Sequence, residues 1–107
     1  MHELHLAEDI LRKIMEKAEE LEKKEITGAR IGLGASRFTH MEELLELFDD
    51  ISGGIKLEID VIPVKTACAQ CKAEFSPKTM RLDCEKCGST DIQMVSGNEL
   101  VVKELKV

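Results

Sequence analysis

Tryptophan and tyrosine are absent, and three phenylalanines make aromatics only 3% of the 107 residues. A core must therefore be built from leucine, isoleucine, valine, alanine and methionine, within a hydrophobic content of 43% that is ordinary for a folded domain. Basic excess is lacking too: 15 lysines and arginines face 21 aspartates and glutamates, a formal charge of −6. That balance argues against non-specific nucleic-acid binding, which needs a basic surface to displace counterions. No apolar run approaches the roughly 18 residues of a membrane span, and no signal peptide opens the chain, so neither a membrane nor a secreted location is expected. Catalytic equipment is missing as well. There is no nucleophile with a base beside it, no phosphate loop and no pair of carboxylates with a reason to be close, so no enzyme is expected. Internal repeats and low-complexity segments are likewise absent. The length sets one small domain, or one small core with a metal-stapled appendage.

What the chain does have is cysteine in two pairs. Cys68-Ala69-Gln70-Cys71 and Cys84-Glu85-Lys86-Cys87 are separated by the twelve residues from Lys72 to Asp83. Each Cys-x-x-Cys turn points two thiolates at one spot, and two such turns close a tetrahedral S₄ site around zinc. Metal binding then offsets the entropy of ordering a loop with little apolar surface, since only Phe75, Met80 and Leu82 lie between the pairs. Gly88 follows the second pair, where the backbone must turn tightly beneath the sulfurs. Two disulfides are the alternative, but nothing else looks secreted, and free paired cysteines fit a reducing, cytoplasmic compartment. With four thiolates and Zn²⁺ in place the charge becomes roughly −8.

Along the chain, Leu4, Ala7, Leu11, Ile14, Ala18 and Leu21 recur at spacings of three and four. They predict an amphipathic helix from about Leu4 to Lys24. Its other face pairs Glu8 with Arg12, Asp9 with Lys13, Glu19 with Lys23 and Glu20 with Lys24. Ala29, Ile31 and Leu33 alternate with Arg30 and Gly32 as in a strand, the first three facing the core. Thr39 reads as a helix cap with Glu42 at the capping-box position. The short helix after it carries Met41, Leu44, Leu45 and Phe48 and ends at Ser52-Gly53-Gly54. Ile55, Leu57, Ile59 and Val61 alternate with Lys56, Glu58 and Asp60, and Pro63 closes that strand. Ile92 to Val95 and Leu100 to Val107 read as two strands joined through Ser96-Gly97-Asn98, the last returning to the first sheet. The expected fold class is α+β: two helices on one face of a small three-stranded antiparallel sheet, with an inserted Cys₄ zinc-ribbon-like domain. The body is expected at 1–64 plus 98–107, the zinc domain at 65–97.

The amino terminus, Met1-His2-Glu3-Leu4-His5, holds a second set of donors. A free α-amine, the His2 amide and the His2 Nδ1 chelate one ion through adjacent rings, and square-planar Ni(II) or Cu(II) favours such nitrogens. His5, His40 or the Glu3 amide completes the fourth position. On the residues alone the bland reading stands beside this one. A histidine in second position is commonly an exposed residue without a task, and Glu3 is a favourable charge at a helix N-terminus.

Met1-His2-Glu3-Leu4 opening the first helix, together with the two late CxxC pairs, resembles the HypA family. Gly32-Leu33-Gly34, Cys87-Gly88-Ser89 and Gly97-Asn98-Glu99-Leu100 match in order and separation, so the resemblance spans nearly the whole chain. It implies a nickel-insertion metallochaperone for [NiFe]-hydrogenase and, in some bacteria, urease. It also implies His2 as nickel ligand, Glu3 as an N-terminal residue linked to nickel and partner contact, and structural zinc on Cys68, Cys71, Cys84 and Cys87. The partners implied are the GTPase HypB, the hydrogenase large subunit and urease accessory proteins, with no nucleic acid and no membrane. Departures are Ala35 where many members are acidic, His5 where many have serine, and a short stretch between Phe48 and Leu57. The expectation is a non-enzymatic cytoplasmic nickel carrier. The alternatives are a zinc-ribbon interaction or nucleic-acid-associated module without a nickel role, and a rubredoxin-like electron carrier with iron in the same sulfurs.

Overall fold

The computed structural model describes residues 2–76 and 83–107. The first helix, α1 (His2–Glu20), buries Leu6, Ala7, Ile10, Ile14 and Ala18. The buried stripe is turned slightly from the expected one. Leu6 and Ile10 lie at its centre, Leu4 and Leu11 are half-buried flanks, and Leu21 is 49% exposed. The helix also stops before the expected Lys24. Its end closes with the Lys23 N–H donating to the Ala18 carbonyl at 2.9 Å and the Glu22 N–H to Glu19 at 3.1 Å. Glu22 sits in the left-handed region at φ 56°, the position glycine usually fills in this closure.

β1 (Gly28–Gly34) places Ala29, Ile31 and Leu33 in the core and Arg30 in solvent, as expected. A short 3₁₀ turn (Ala35–Arg37) leads to α2 (Met41–Ser52), which ends at Gly53 in the left-handed conformation. β2 (Lys56–Ile62) and β6 (Leu100–Lys106) flank β1 in a sheet of order β2-β1-β6. The expected antiparallel sheet is corrected here: β1 and β2 run parallel, and only β6 is antiparallel to β1. Parallel neighbours need a crossover of about a dozen residues or more, and residues 35–55 with α2 supply one.

Both helices cover one face of this sheet. Leu44 and Phe48 of α2 meet the α1 stripe and the inner residues of β1, with Leu57, Ile59, Leu100, Val102 and Leu105 around them. Leu45 and Val61, expected on inner faces, are 37% and 48% exposed because each sits at the rim. Phe48 is the largest fully buried side chain among the described residues. Phe48→Ala is therefore expected to cost about 3–5 kcal/mol, read as a lowered midpoint in urea unfolding. The outer face is polar: Arg30 pairs with Asp60 at 2.8 Å, Lys103 with Asp60 at 3.2 Å and Lys106 with Glu58 at 2.9 Å. These exposed pairs solvate the face more than they stabilise it.

A second sheet holds β3 (Lys65–Cys68), β4 (Glu74–Phe75) and β5 (Ile92–Ser96) in the order β4-β3-β5, all antiparallel. Only β5 was expected from the sequence. β3 and β4 flank the first cysteine turn, and their short alternation is hidden among polar residues. Met80 and Leu82, counted between the cysteine pairs, lie outside the described residues. The two sheets share no strand. They meet where the Ser36 N–H and Oγ both donate to the Gly97 carbonyl, at 2.9 and 2.6 Å, and the Gly34 N–H donates to the Glu99 carbonyl at 2.8 Å.

Candidate metal centres

Two near-identical backbone turns present the cysteines. The Lys72 N–H donates to the Cys68 carbonyl and the Gly88 N–H to the Cys84 carbonyl, both at 3.0 Å. Each turn is closed again from outside, Cys68 N–H to Ala73 at 2.9 Å and Cys84 N–H to Ser89 at 2.8 Å. The residue after each pair is left-handed, Gly88 at φ 75° and Lys72 at φ 63°. Gly88 announces that geometry in the sequence. Lys72 adopts it against its preference, so the first turn carries no such signal.

The four sulfurs converge. Cys68 and Cys87 are 3.6 Å apart, Cys71 and Cys84 likewise, and all four lie within 4.8 Å of one another. A tetrahedron with zinc–sulfur bonds of about 2.3 Å has sulfur–sulfur edges of about 3.8 Å, whereas a disulfide is about 2.05 Å. All four are free thiols. The donor set therefore fits a closed tetrathiolate zinc site, with Cys68 and Cys84 buried and Cys71 and Cys87 at the surface. Charge is already distributed for it. The Cys87 amide, with help from that of Lys86, brings the Cys84 thiol down to about 6. The Cys71 amide also lowers Cys68. At Cys87 the Ser89 amide pulls downward, but desolvation and the three neighbouring sulfurs outweigh it and push the thiol up to about 12. Four thiolates cannot crowd together without a cation, and a dication removes that penalty.

At the other centre, Met1 and the side chain of His2 lie outside the described residues. Glu3 is buried, and its Oε1 accepts the N–H of Thr39 at 3.0 Å and of His40 at 3.1 Å. The expected capping box is thus replaced. The N-cap of α2 is His40 rather than Thr39, it makes no side-chain cap bond, and the carboxylate of another helix takes the free amides. His40 Nδ1 is 3.8 Å from Glu3 Oε1, and Glu43 completes a group of donors within 4.8 Å. His5 is exposed on α1 and stands apart from that group. Glu43 had no sequence signal of its own, because its neighbour Glu3 is forty positions away and meets it only through the fold.

Those two amide bonds, Thr39 first and His40 second, hold the Glu3 carboxyl below its ordinary 4.5. A depressed carboxylate contributes stability that is fully present above its unfolded value and is lost as pH falls through its folded one. Urea unfolding of wild type and Glu3→Gln should therefore show a constant stability gap above pH 4.5 that shrinks on further acidification. A gap that stayed constant in acid would remove the charged cap.

Four converging cysteine sulfurs beside a two-helix, three-stranded body define a small α+β protein with a zinc-ribbon-like module. Comparison with known proteins makes that class particular. The family model described as "Hydrogenase/urease nickel incorporation, metallochaperone, hypA" matches residues 1–107. The chain belongs to the HypA family of hydrogenase maturation factors and nickel metallochaperones. It is 30% identical to hydrogenase maturation factor HypA of Azotobacter chroococcum mcd 1 over 112 residues, covering 100% of this chain and 99% of that one. The corresponding protein of Dehalococcoides mccartyi strain CBDB1 is 28% identical, with 100% and 94% covered. In structure, it is similar to the Ni metallochaperone HypA from Helicobacter pylori, with a TM-score of 0.70, 22% identity, and 99% and 97% of the two chains covered. At that identity the likeness shows the fold. No helix among the described residues is long and apolar enough to cross a membrane.

Proposed function

We propose that this protein carries Ni(II) for the maturation of [NiFe]-hydrogenase, or of urease where that is the recipient, and does no catalysis itself. The observation that carries this reading is the family match along residues 1–107, which includes the Met1-His2-Glu3 terminus. The Met1 amine and the His2 amide and imidazole chelate the cargo, with Glu3, His5 and His40 as auxiliary donors. Nitrogen donors suit Ni(II), and three of them leave a coordination position open, so the site exchanges its ion readily. Zinc on Cys68, Cys71, Cys84 and Cys87 is structural, since four soft thiolates close its coordination shell. Residues 1–64 with 98–107 act as the nickel-binding body and residues 65–97 as the zinc domain. The carrier works in the cytoplasm, with a HypB-like GTPase and the hydrogenase large subunit as partners.

The test is nickel titration of untagged protein against a chromogenic chelator. His2→Ala removes the imidazole arm and acetylation of Met1 removes the amine's lone pair. Each is expected to weaken nickel binding about 100-fold, roughly 2.7 kcal/mol, while zinc content and helical circular dichroism stay unchanged. Parental affinity in both variants would overturn the N-terminal chelate and leave a zinc-ribbon module without a nickel role.

A further inference from the structure

We propose that the groove between α1 and the turn from α2 into β2 is a docking site for a cationic amphipathic helix of a partner protein. The groove has a volume of about 650 Å³, and Leu11, Met15, Ile26 and Ile55 make its walls apolar. Gly53 and Gly54 leave one end of it open, since a Cβ on either would meet nothing within 4 Å. Met15 is 48% exposed, and Ile51, one position before the groove's Ser52, is 36% exposed. An unbranched methionine repacks around different apolar side chains, which suits a wall that must receive a partner's.

Charge decides the occupant. α2 carries Glu42, Glu43, Glu46, Asp49 and Asp50, and no lysine or arginine occurs from Phe38 to Ile55. None of these acids pairs with a lysine or arginine among the described residues, whereas Asp9, Glu20, Glu58 and Asp60 elsewhere all do. Asp49 and Asp50 stand in the last turn of α2, which holds no basic residue. There the helix dipole is negative, so a cation would stabilise that turn and an acid costs stability. The same turn runs directly into Ser52, Gly53 and Gly54 at the groove. Among the described residues Lys56 is the one cation in the lining, and it leaves the acids in excess. An apolar side chain flanked by lysine or arginine therefore fits both the walls and the field. A second copy of this chain, at formal charge −6, would bring acid to acid, and so would anionic lipid headgroups. Met15 is twelve residues along α1 from Glu3, about 18 Å at 1.5 Å per residue, so a docked helix leaves the chain end uncovered. That this uncovered end holds cargo rests on the N-terminal chelate proposed above; the groove does not.

The protein has no tryptophan or tyrosine, so a single tryptophan on a peptide reports binding without background. The probe is a helical leucine–lysine peptide of about 18 residues, five turns, with one tryptophan on its apolar face, titrated into zinc-loaded full-length protein. The same peptide with glutamate for lysine is the charge control. Expected are a blue-shifted emission, affinity that falls as salt screens the charges, and amide shifts centred on Leu11, Met15, Gly53, Gly54 and Ile55. Met15→Ser, and Asp49→Asn together with Asp50→Asn, should each weaken binding about tenfold, roughly 1.4 kcal/mol. The aspartate pair should do so while raising the urea midpoint, because it removes acid from the negative end of a helix. Glu16→Gln together with Glu104→Gln takes the same charge from exposed positions outside the groove and should leave the affinity at its parental value. Absence of binding overturns the docking site, as does equal binding of the glutamate peptide or parental affinity in Met15→Ser. Equal weakening by the two acid pairs would reduce the attraction to net charge and overturn it as well. Dimerisation of the protein alone, seen by sedimentation and abolished by Met15→Ser, would give the groove to a second copy instead. None of these readouts involves nickel, so failure of the N-terminal chelate, seen in His2→Ala, is distinct from failure of the docking site.

Discussion

Cys84→Ser is expected to release zinc and unfold the segment around residues 65–96, while both helices stay folded. Among the described residues of that segment only Thr66, Cys68 and Cys84 are buried, and Met94 and Val95 are 41% and 51% exposed. Those described residues form no apolar core that could offset the entropy of ordering the segment. A tetrathiolate can, since structural zinc contributes about 10–16 kcal/mol in small zinc-binding peptides near neutral pH. Replacing a buried thiolate by a hydroxyl leaves three ligands and an open coordination position. The core around Leu6, Ile10, Ile14, Ile31, Leu44 and Phe48 draws on none of these residues. Metal analysis should show zinc near zero, and amide spectra should lose dispersion for the second sheet only. Collapse of helical circular dichroism would refute the independence of the two parts. Retained zinc would remove Cys84 from the ligands, and Cys71→Ser offers the same test at an exposed position.

The parts that were legible in the sequence are those whose cause is local. Paired cysteines three apart dictate a turn that aims two sulfurs together, whatever surrounds them. The 3.6-residue stripe of α1 and the alternation in β1 likewise report their own buried faces. Ser52-Gly53-Gly54 marked a helix end because glycine alone adopts the left-handed closure without strain. Glu22 and Lys72 take the same conformation with no glycine to show it, so the end of α1 and the first cysteine turn were not legible in that detail. Tertiary context holds them there.

What stayed hidden depends on partners far apart in the chain. The direction of β2 beside β1 follows from how a helical crossover packs, which alternation does not encode. Local capping rules place the cap of α2 next to α2 in sequence, yet it comes from Glu3 across the fold. Those two displaced hydrogen bonds bring Glu3 to His40 and leave Glu43 without a capping role. The sequence identified Glu3, His5 and His40 as donors near the chain end. Only packing brings Glu3 beside His40 and leaves His5 outside that group.

Gly34→Ala is expected to be among the most destabilising single substitutions outside the core, at about 3 kcal/mol or more. Gly34 has an ordinary extended backbone, φ −64° and ψ 137°, so conformational strain is not the reason. Space is. A Cβ on Gly34 would fall inside the Gly97 carbonyl group and against the Asn98 nitrogen. All of these are backbone atoms, so no rotamer change relieves the clash. Either the end of β1 or the Ser96-Gly97-Asn98 link must move. That movement breaks the Gly34–Glu99 bond and the two Ser36 bonds to Gly97, each contributing about 1 kcal/mol. Gly97 is locked from its other side. It has φ +108°, and a Cβ there would meet the Val64 Cα at 2.6 Å, so it cannot shift to make room. Gly53→Ala is the control, left-handed at φ +73° with nothing within 4 Å. It carries only the local strain of a left-handed alanine, about 1–2 kcal/mol. Urea unfolding of the two variants separates packing from conformation. Equal destabilisation would mean that the junction between the two sheets yields freely. A Gly34→Ala protein clearly weaker than Gly53→Ala would place a rigid backbone contact between the cysteine module and the turn that leads to His40.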